Sequence, residues 1–521
     1  MDYGPIEYAH SYRFTSFSGS GYLFDASSVT VHPWPWNTSP VQIEALYSVP
    51  DAYLPSVIDE IGATPALAQY VLNWRHQAGA FGGRRQSPHC TGCTTPGGTI
   101  AGAPAFRSPH WRPLPSIFSN LILVLTDACN LRCKYCIFSG NYNDYHTYRP
   151  RRMSWDIARK AIDLFFALND TSPFLGLPKR KLDIVFFGGE PLIERDLFRK
   201  VVTYVSSTKR SNYRIDLSAT TNLTLLPISL ARFLVENNIG LDVSLDGPMQ
   251  VHDLYRRDSA DHGSFDTVYV NLALLQQLSP QYFATRVRAI VTLNGNSDLI
   301  AIRDFFEAGD PCIPQVGFVG TVRDLRDSSF HRHYPFQPER YGEQYFELLA
   351  DYHRRKRSGV PVVRGEFLYH LMEDPIIALY KRMMRYGAPE ASARPEGCTP
   401  GRRLAVSTSG EFHVCERINE DFPIGDVDHG LDLDRCQQVQ QKFATALPDC
   451  SHCWARGICQ FCFASTCQYG EFAFTDRKCA GMREGLSVQL RSLYTLLEAV
   501  PDGLACGDPL IDRYRLVQEP T

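Results

Sequence analysis

The chain has 521 residues, 44% of them hydrophobic and 21% charged, with a formal net charge of -3. This is a globular composition, not a disordered or fibrous one, and the near-neutral balance offers no basic field to recruit nucleic acid. No apolar run reaches the ~18 residues of a membrane span, and the opening "MDYGPIEYAH" lacks the basic start and apolar core of an export signal. The expected setting is therefore cytoplasmic, with no membrane and no nucleic acid as partner. The length exceeds one ordinary domain of roughly 100–200 residues and predicts a multidomain chain.

Residues 1–80 open with alternating aromatic and polar positions, "YRFTSF", a turn "SGSG" and "YLFDASSVTVHPW". That alternation predicts a small antiparallel sheet. "PVQIEALYSV" and "TPALAQYVLNWRHQ" follow with helical spacing and a proline near each start, so strands and helices make a separate module. Residues 81–116 are rich in Gly, Pro, Ser and Thr and read as a linker.

From 117 to 325 the rhythm becomes strand then helix. "NLILVLT" is a buried strand running into a cysteine loop. "SWDIARKAIDLFFALN" sets Ile157, Ala161, Ile162, Phe165 and Leu168 on one helical face, with Ser154 as N-cap. "KLDIVFFGGEPL", "IDLSATTN", "GLDVSLDG", "ATRVRAIVTLN" and "PQVGFVGTV" are the later strands, each separated from the next by a helix. This repetition predicts an α/β fold with a parallel sheet and covering helices. About six units suit a partial (β/α)6 barrel better than a complete eightfold one. Residues 326–395 read as a charged helical connector. Residues 396–485 are cysteine-rich and poor in periodic segments, a region for metal to organise. Residues 486–521 hold a closing helix, "LSVQLRSLYTLLEAV", and a tail.

The 16 cysteines sit in a large chain without an export signal, where metal ligation or redox chemistry is the expected use. Cys129-x3-Cys133-x2-Cys136 lies on the loop after the first barrel strand. Three thiolates supply three of the four protein ligands usual for a [4Fe–4S] cube, leaving one iron open to a small molecule. The rival is structural zinc, which wants four ligands, with His146 offered as the fourth. The second group is Cys398, Cys415, Cys450, Cys453, Cys459, Cys462, Cys467 and Cys479. Within it Cys450-x2-Cys453-x5-Cys459-x2-Cys462 is also a fair zinc-ribbon spacing. Cys90 and Cys93 in "HCTGC" are either incidental or a redox or metal pair, and Cys312, Cys436 and Cys506 show no pattern.

"DACNLRCKYC" strongly resembles the fingerprint of the radical S-adenosylmethionine (SAM) superfamily. The resemblance implies that SAM chelates the fourth iron of a cluster on Cys129, Cys133 and Cys136, with Tyr135 bordering the adenine. "FFGGEPL" resembles the family's SAM loop. Gly188 and Gly189 then permit close backbone approach, and Glu190 accepts from the SAM ammonium. "SLDGP" places Ser244 on SAM, with Asp246 structural. Arg256 in "HDLYRR" matches an arginine near the SAM carboxylate, against a plain reading as an exposed helix arginine. Asn222 in "ATTNLTLL" matches a strand-end asparagine.

"CTPGRRLAVSTSGEFHVCER", "CSHCWARGICQFC" and Cys479 resemble the SPASM extension of peptide-modifying relatives, which carries auxiliary [4Fe–4S] clusters. That implies a distal cluster on Cys450, Cys453, Cys459 and Cys479. It implies a proximal one on Cys398, Cys415 and one of Cys462 and Cys467, which compete. If Cys467 does not bind, the proximal cluster has an open iron that a substrate thiolate could fill. The segment "GCTPGRRLAVSTSGEFHVCERINEDFPIGDV" looks most like thioether-forming maturases of ribosomally made peptides. The N-terminal module looks like the winged-helix-like peptide-recognition element such enzymes fuse in front, its plain alternative being a dimerisation or capping domain.

The resemblance therefore implies SAM and three [4Fe–4S] clusters as cofactors, and a precursor peptide held by its leader. It also implies an external electron donor such as flavodoxin or ferredoxin. The implied reaction is thioether formation through a 5′-deoxyadenosyl radical. The alternatives are a carbon–carbon or ether cross-link, side-chain oxidation of the sulfatase-maturase type, and a non-enzymatic metal-bearing peptide scaffold.

Overall fold

The computed structural model describes residues 7–8, 11–18, 20–25, 30–33, 118–142, 147–170, 180–208, 213–322, 329–385, 403–417, 420–450, 453–455, 457–500 and 504. The helices expected between 40 and 77, the linker with Cys90 and Cys93, and His146, Cys398 and Cys506 lie outside them. Among the described residues no helix is long and apolar enough to cross a membrane.

The aromatic–polar alternation at the N-terminus folds as expected. Strands β1 (Glu7–Tyr8), β2 (Ser11–Thr15), β3 (Gly21–Asp25) and β4 (Thr30–Pro33) pair antiparallel in chain order. The β2–β3 hairpin sets Phe14 opposite Tyr22.

The second sheet starts at β5 (Asn120–Thr126), whose unbroken apolar run is covered on both faces, as a central parallel strand requires. Next come α1 (Trp155–Asp170), β6 (Arg180–Gly188), α2 (Arg195–Ser207), β7 (Tyr213–Thr221), α3 (Ile228–Glu236) and β8 (Gly240–Ser244). Then follow α4 (Met249–Tyr255), α5 (Phe265–Leu278), α6 (Pro280–Arg286), β9 (Val287–Leu293), α7 (Leu299–Glu307) and β10 (Val316–Thr321). β5 to β10 lie side by side in chain order, all parallel, as a partial barrel demands. Ser154 caps α1 by accepting from the Ile157 N–H at 3.2 Å. The inward face of α1 is Ala158, Ala161, Ile162, Phe165 and Phe166, with Ile157 and Leu168 at its flanks. Each such large apolar side chain contributes about 1.5–3 kcal/mol by leaving water.

The connector is helical as expected: α8 (Ser329–His333), α9 (Pro338–Arg357), a π-turn at Tyr369–Glu373 and α10 (Asp374–Arg385). The cysteine-rich region holds more regular structure than its sequence rhythm predicts. β11 (Arg403–Val406) adds to the free edge of β5 in parallel, Arg403 opposite Asn120, and β12 (Phe412–His413) returns antiparallel. Leu404, Val406 and Phe412 join the barrel core. The turn between them is "STSG", closed by Gly410 at φ +91, where a residue with a side chain would be strained. This hairpin covers the sheet edge that would otherwise stay unpaired.

β13 (Gly425–Asp426) and β14 (Gly430–Leu431) form a small ribbon before α11 (Leu433–Ala446), a helix the sequence rhythm did not reveal. A short helix α12 (Phe463–Thr466), β15 (Cys467–Gln468) and β16 (Glu471–Phe472) lead into α13 (Asp476–Ala499). α13 begins ten residues ahead of the boundary drawn at 485–486, capped by Thr475, whose hydroxyl accepts from the Lys478 N–H. It carries Cys479 in its first turn and the docking face of the N-terminal sheet near its end. There Phe17 N–H donates to Thr495 Oγ1 at 2.7 Å, and Tyr22 and Ser16 donate to Glu498.

Candidate active site

β5 delivers the chain to the C-terminal mouth of the sheet, where the cysteine loop begins. Three separate elements fix that loop. The Gly189 N–H donates to Thr126 O at 2.8 Å and the Glu190 N–H to Ala128 O at 2.9 Å. A Cβ on Gly189 would stand 2.2 Å from Ala128 O, and one on Gly188, at φ +144, would stand 2.4 Å from Thr126 O. The two glycines therefore let strand β6 lie flush against the cysteine loop itself, a nearer role than an approach to the cofactor. From the other side, the Arg132 N–H donates to Arg257 O at 2.6 Å and the Lys134 N–H to Tyr255 O at 2.9 Å. Asn222, past the end of β7, completes the clamp: its Nδ2 donates to Asn130 Oδ1 at 3.0 Å and lies 3.8 Å from Cys129 Sγ.

Cys129, Cys133 and Cys136 are free thiols brought together at this point. Burial pushes all three upward, Cys133 to about 12, and the neighbouring thiols add to the push on Cys129. Three such groups stay together as thiolates when a cation neutralises them, which is the condition a metal cluster supplies. Among the described residues no set of three or more His, Cys, Asp and Glu converges closely enough to hold a single metal ion. A cube asks for less convergence, because its thiolates take different irons.

Glu190 is wholly buried beneath the loop. Its carboxylate accepts from Thr221 Oγ1 and the Asn222 N–H at 2.7 Å each and from the Leu192 N–H at 3.0 Å. Burial raises its pKa to about 7 despite those bonds. A carboxylate has about four acceptor positions, so one remains for a further donor.

Arg256 is not an exposed helix arginine. Its guanidinium is buried, with Nε 2.9 Å from Asp246 Oδ2 and Nη1 4.0 Å from Cys133 Sγ. Asp246, expected to be structural, is the hub of this side of the mouth. It also takes the Tyr135 hydroxyl and the Thr292 N–H, the latter at 2.9 Å. Tyr135 thus spends its hydroxyl on Asp246, and the Arg256 guanidinium lies over its ring at 5.4 Å. Ser244 stands half-buried at the end of β8.

One neighbour was not legible in the sequence. Burial and then the three thiols, Cys136 first, push the Tyr148 hydroxyl above its ordinary range, while Arg132 covers its ring at 4.5 Å. Tyr148 lies outside the cysteine spacing and outside every quoted segment, so no pattern marked it.

The second cysteine group divides in two. Burial lifts Cys459 to about 12, helped by Cys453, Cys450 and Cys479 close by. Trp454, Ile458, Leu486, Leu490, Phe14 and Leu379 wrap Cys453 and Cys459. The buried Arg382 donates to Ile458 O at 2.6 Å and fixes that loop. Elsewhere, burial and then Glu416 raise the Cys415 thiol, with Cys462 a further neighbour. Of the two competing cysteines, Cys462 is exposed and near Cys415, whereas Cys467 is fully buried among Phe422, Phe463 and Phe472. Thr408, in the β11–β12 turn, donates to the buried Asp127 at the root of the first cysteine loop, at 3.3 Å. The two cysteine regions therefore share one structural seam.

A parallel strand set whose first strand empties into a three-thiol loop, with a carboxylate and a guanidinium at the same mouth, is an α/β arrangement whose thiols suit the ligation of a metal cluster. Residues 123–298 match the family model described as the Radical SAM superfamily, so this segment carries a radical SAM domain. That family implies SAM and a [4Fe–4S] cluster as cofactors. A cysteine-type anaerobic sulfatase-maturating enzyme of Clostridium novyi is 27% identical over 234 residues, 45% of this chain and 59% of that relative. The match thus spans less than two thirds of the relative's own length. A GTP 3',8-cyclase of Stenotrophomonas maltophilia is 27% identical over 300 residues, 57% of this chain and 80% of that relative. A solved structure described as histidine-tagged anSMEcpe with bound AdoMet superposes with a TM-score of 0.54 at 18% identity. It covers 74% of this chain and 97% of that one, and this likeness is one of fold.

Proposed function

We propose that this enzyme modifies a ribosomally made precursor peptide and closes a thioether between a cysteine sulfur and a carbon of that peptide. The observation that carries the reading is the division of the second cysteine group. One set, Cys450, Cys453, Cys459 and Cys479, has the four thiols of a closed site. The other pairs Cys415 with the exposed Cys462, which suits a site with room for an outside thiolate. Cys398 lies outside the described residues and is proposed as a third ligand there.

A cluster held by Cys129, Cys133 and Cys136 would, with SAM bound, supply the radical that abstracts hydrogen from the peptide. The chain's own residues do the rest of the work. Cys129, Cys133 and Cys136 hold the cluster, and Glu190 offers its remaining acceptor position to the SAM ammonium. Ser244 and Tyr135 border the remainder of SAM, and the aromatic group Tyr142, Tyr255 and Phe330 keeps water from the mouth. Forming the bridge breaks one C–H and one S–H bond of the peptide and makes one C–S bond. The hydrogen atom leaves on the deoxyadenosyl carbon and the proton goes to solvent. The surplus electron goes to an acceptor, the role proposed for the auxiliary cysteine sites. The N-terminal sheet, docked on α13, is proposed as part of the leader-binding module, and a flavodoxin or ferredoxin as the electron donor.

The sulfatase-maturating relative favours a second reading, oxidation of a peptide side chain. Product mass separates the two. A thioether loses two hydrogens and keeps its sulfur, whereas oxidation of cysteine to an aldehyde expels sulfur. The test is anaerobic turnover of the reduced enzyme with a cysteine-containing precursor. Modification of a precursor lacking cysteine sinks the thioether reading, and no SAM consumption with the genuine precursor sinks both.

A further inference from the structure

We propose that Arg256 is a positioning residue that raises the reduction potential of the SAM-binding cluster by donating to the Cys133 sulfur. This rests on the reading that Cys129, Cys133 and Cys136 hold that cluster. Asn222 Nδ2 lies 3.8 Å from Cys129 Sγ and Arg256 Nη1 lies 4.0 Å from Cys133 Sγ. Tyr148, its ring under the Arg132 guanidinium, adds a hydroxyl on the Cys136 side. Asn222 divides its amide between the sulfur and Asn130, and its carbonyl takes Thr224, so loop fixing dominates its role.

Arg256 is the charged member. Its guanidinium is buried and its Nε is held by Asp246 at 2.9 Å. Its backbone is fixed as well: the N–H donates to His252 O at 3.0 Å, and the carbonyl accepts from Ser264 Oγ at 2.9 Å. Ser264 is in turn 3.0 Å from His252 Nε2, both of them buried. The guanidinium is thereby placed with Nη1 toward Cys133.

The sign follows from charge. Reduction adds an electron to the cluster, and a cation or a hydrogen-bond donor at a coordinating sulfur favours the more negative state. Asp246 opposes Arg256 from the far side of the guanidinium, so the pair acts as an oriented dipole with its positive end toward the sulfur. Removing the cation and removing the anion must therefore move the potential in opposite directions.

The experiment is potentiometric titration of the anaerobically reconstituted full-length enzyme. It follows the paramagnetic signal that changes shape when SAM is added, which separates this cluster from any auxiliary one. Arg256→Gln is expected to lower the reduced-to-oxidised ratio at fixed potential about tenfold, or about 59 mV for one electron. Tyr148→Phe should shift it the same way by less, and Asp246→Asn should shift it upward. Iron content should match the parent in all three. Unchanged potentials with weakened SAM binding in Arg256→Gln would overturn the proposal and leave Arg256 as a SAM clamp. If Arg256→Gln does not fold, the upward shift expected of Asp246→Asn carries the comparison, and its absence overturns the proposal. Absence of any SAM-sensitive signal in the parent overturns the cluster reading itself, and this inference with it.

Discussion

The two cysteine regions solve the same problem by different means. At the barrel mouth the loop is tied by backbone hydrogen bonds from β6 on one side and from residues 255–257 on the other. Its shape belongs to the sheet. Around Cys450, Cys453 and Cys459 the ties among the described residues include local backbone bonds, Cys453 N–H to Cys450 O at 3.2 Å and Cys459 N–H to Ala455 O at 2.7 Å. What reaches in from outside is the Arg382 guanidinium and an apolar wrapping. A site built on rigid elements keeps its geometry when empty, and a site built on turns borrows geometry from its ligand.

The sharpest way to break this comparison is to remove one thiol from each region. Cys133→Ala is expected to abolish 5′-deoxyadenosine formation. If the proposed auxiliary sites also hold cubes, it should lower bound iron from about twelve per chain to about eight, each cube holding four. Cys453→Ala is expected to keep SAM cleavage while losing modified peptide. Deoxyadenosine assays and iron analysis on the two variants check both. Hydrogen exchange on iron-stripped protein sharpens the contrast, with protection falling in 450–479 and holding in 120–136.

Gly189→Ala is the next largest effect. The new methyl would meet Ala128 O, a backbone atom with no freedom to rotate away. A loss on the order of 3 kcal/mol is expected, localised to the cysteine loop and read as a lower unfolding midpoint with depleted iron at the first cluster. Gly485→Ala, in open space inside α13, is the control and should stabilise slightly, by about 0.5–1 kcal/mol.

This contrast also explains what the sequence disclosed. Period and apolar runs marked β5 to β10 and their helices, because a parallel sheet buried on both faces writes itself as continuous hydrophobic strands. Cysteine spacing marked the two groups, because ligands on one loop are close in sequence. The β11–β12 hairpin escaped notice because short strands leave few alternating positions to count, although "STSG" ahead of Glu411 was a turn signal. Asp246, Arg256 and Tyr148 meet at the first cluster from distant parts of the chain. That meeting is a product of topology, and no local pattern carries it. The burial of Arg256 against Asp246 in particular could not be told from helical spacing, which read it equally well as exposed.

The seam between α9 and α13 gives a smaller, pH-dependent effect. His353, on α9, is buried against Ser492 at 2.9 Å with the Phe17 ring beside it. Burial, aided by Arg357, lowers its pKa to about 4. The unfolded chain binds this proton near pH 6.5, so stability is complete above that value and falls as pH drops from about 6.5 to 4. About 2 kcal/mol is expected after discounting for partial solvent access. Denaturant unfolding at pH 7 and pH 5 should show the loss, and His353→Gln should flatten it.

The smallest effect tests whether the N-terminal sheet is held by polar or apolar contacts. Glu498 accepts from Ser16 at 3.2 Å, from Tyr22 at 2.6 Å and from Ser18. Burial pushes its carboxyl up, but these bonds outweigh it and leave the pKa below the ordinary value. Its contribution is therefore present above the ordinary carboxylate range and is lost as pH falls through and below it, a more acidic window than that of His353. Because Glu498 is exposed, Glu498→Gln is expected to cost only about 0.5–1 kcal/mol. Faster hydrogen exchange confined to Ser11–Asp25 would be the signature. Phe14, buried between Tyr22 and Tyr494, carries the larger share. If Glu498→Gln instead releases the whole sheet, the docking is electrostatic, and the apolar cluster around Phe14 is filler.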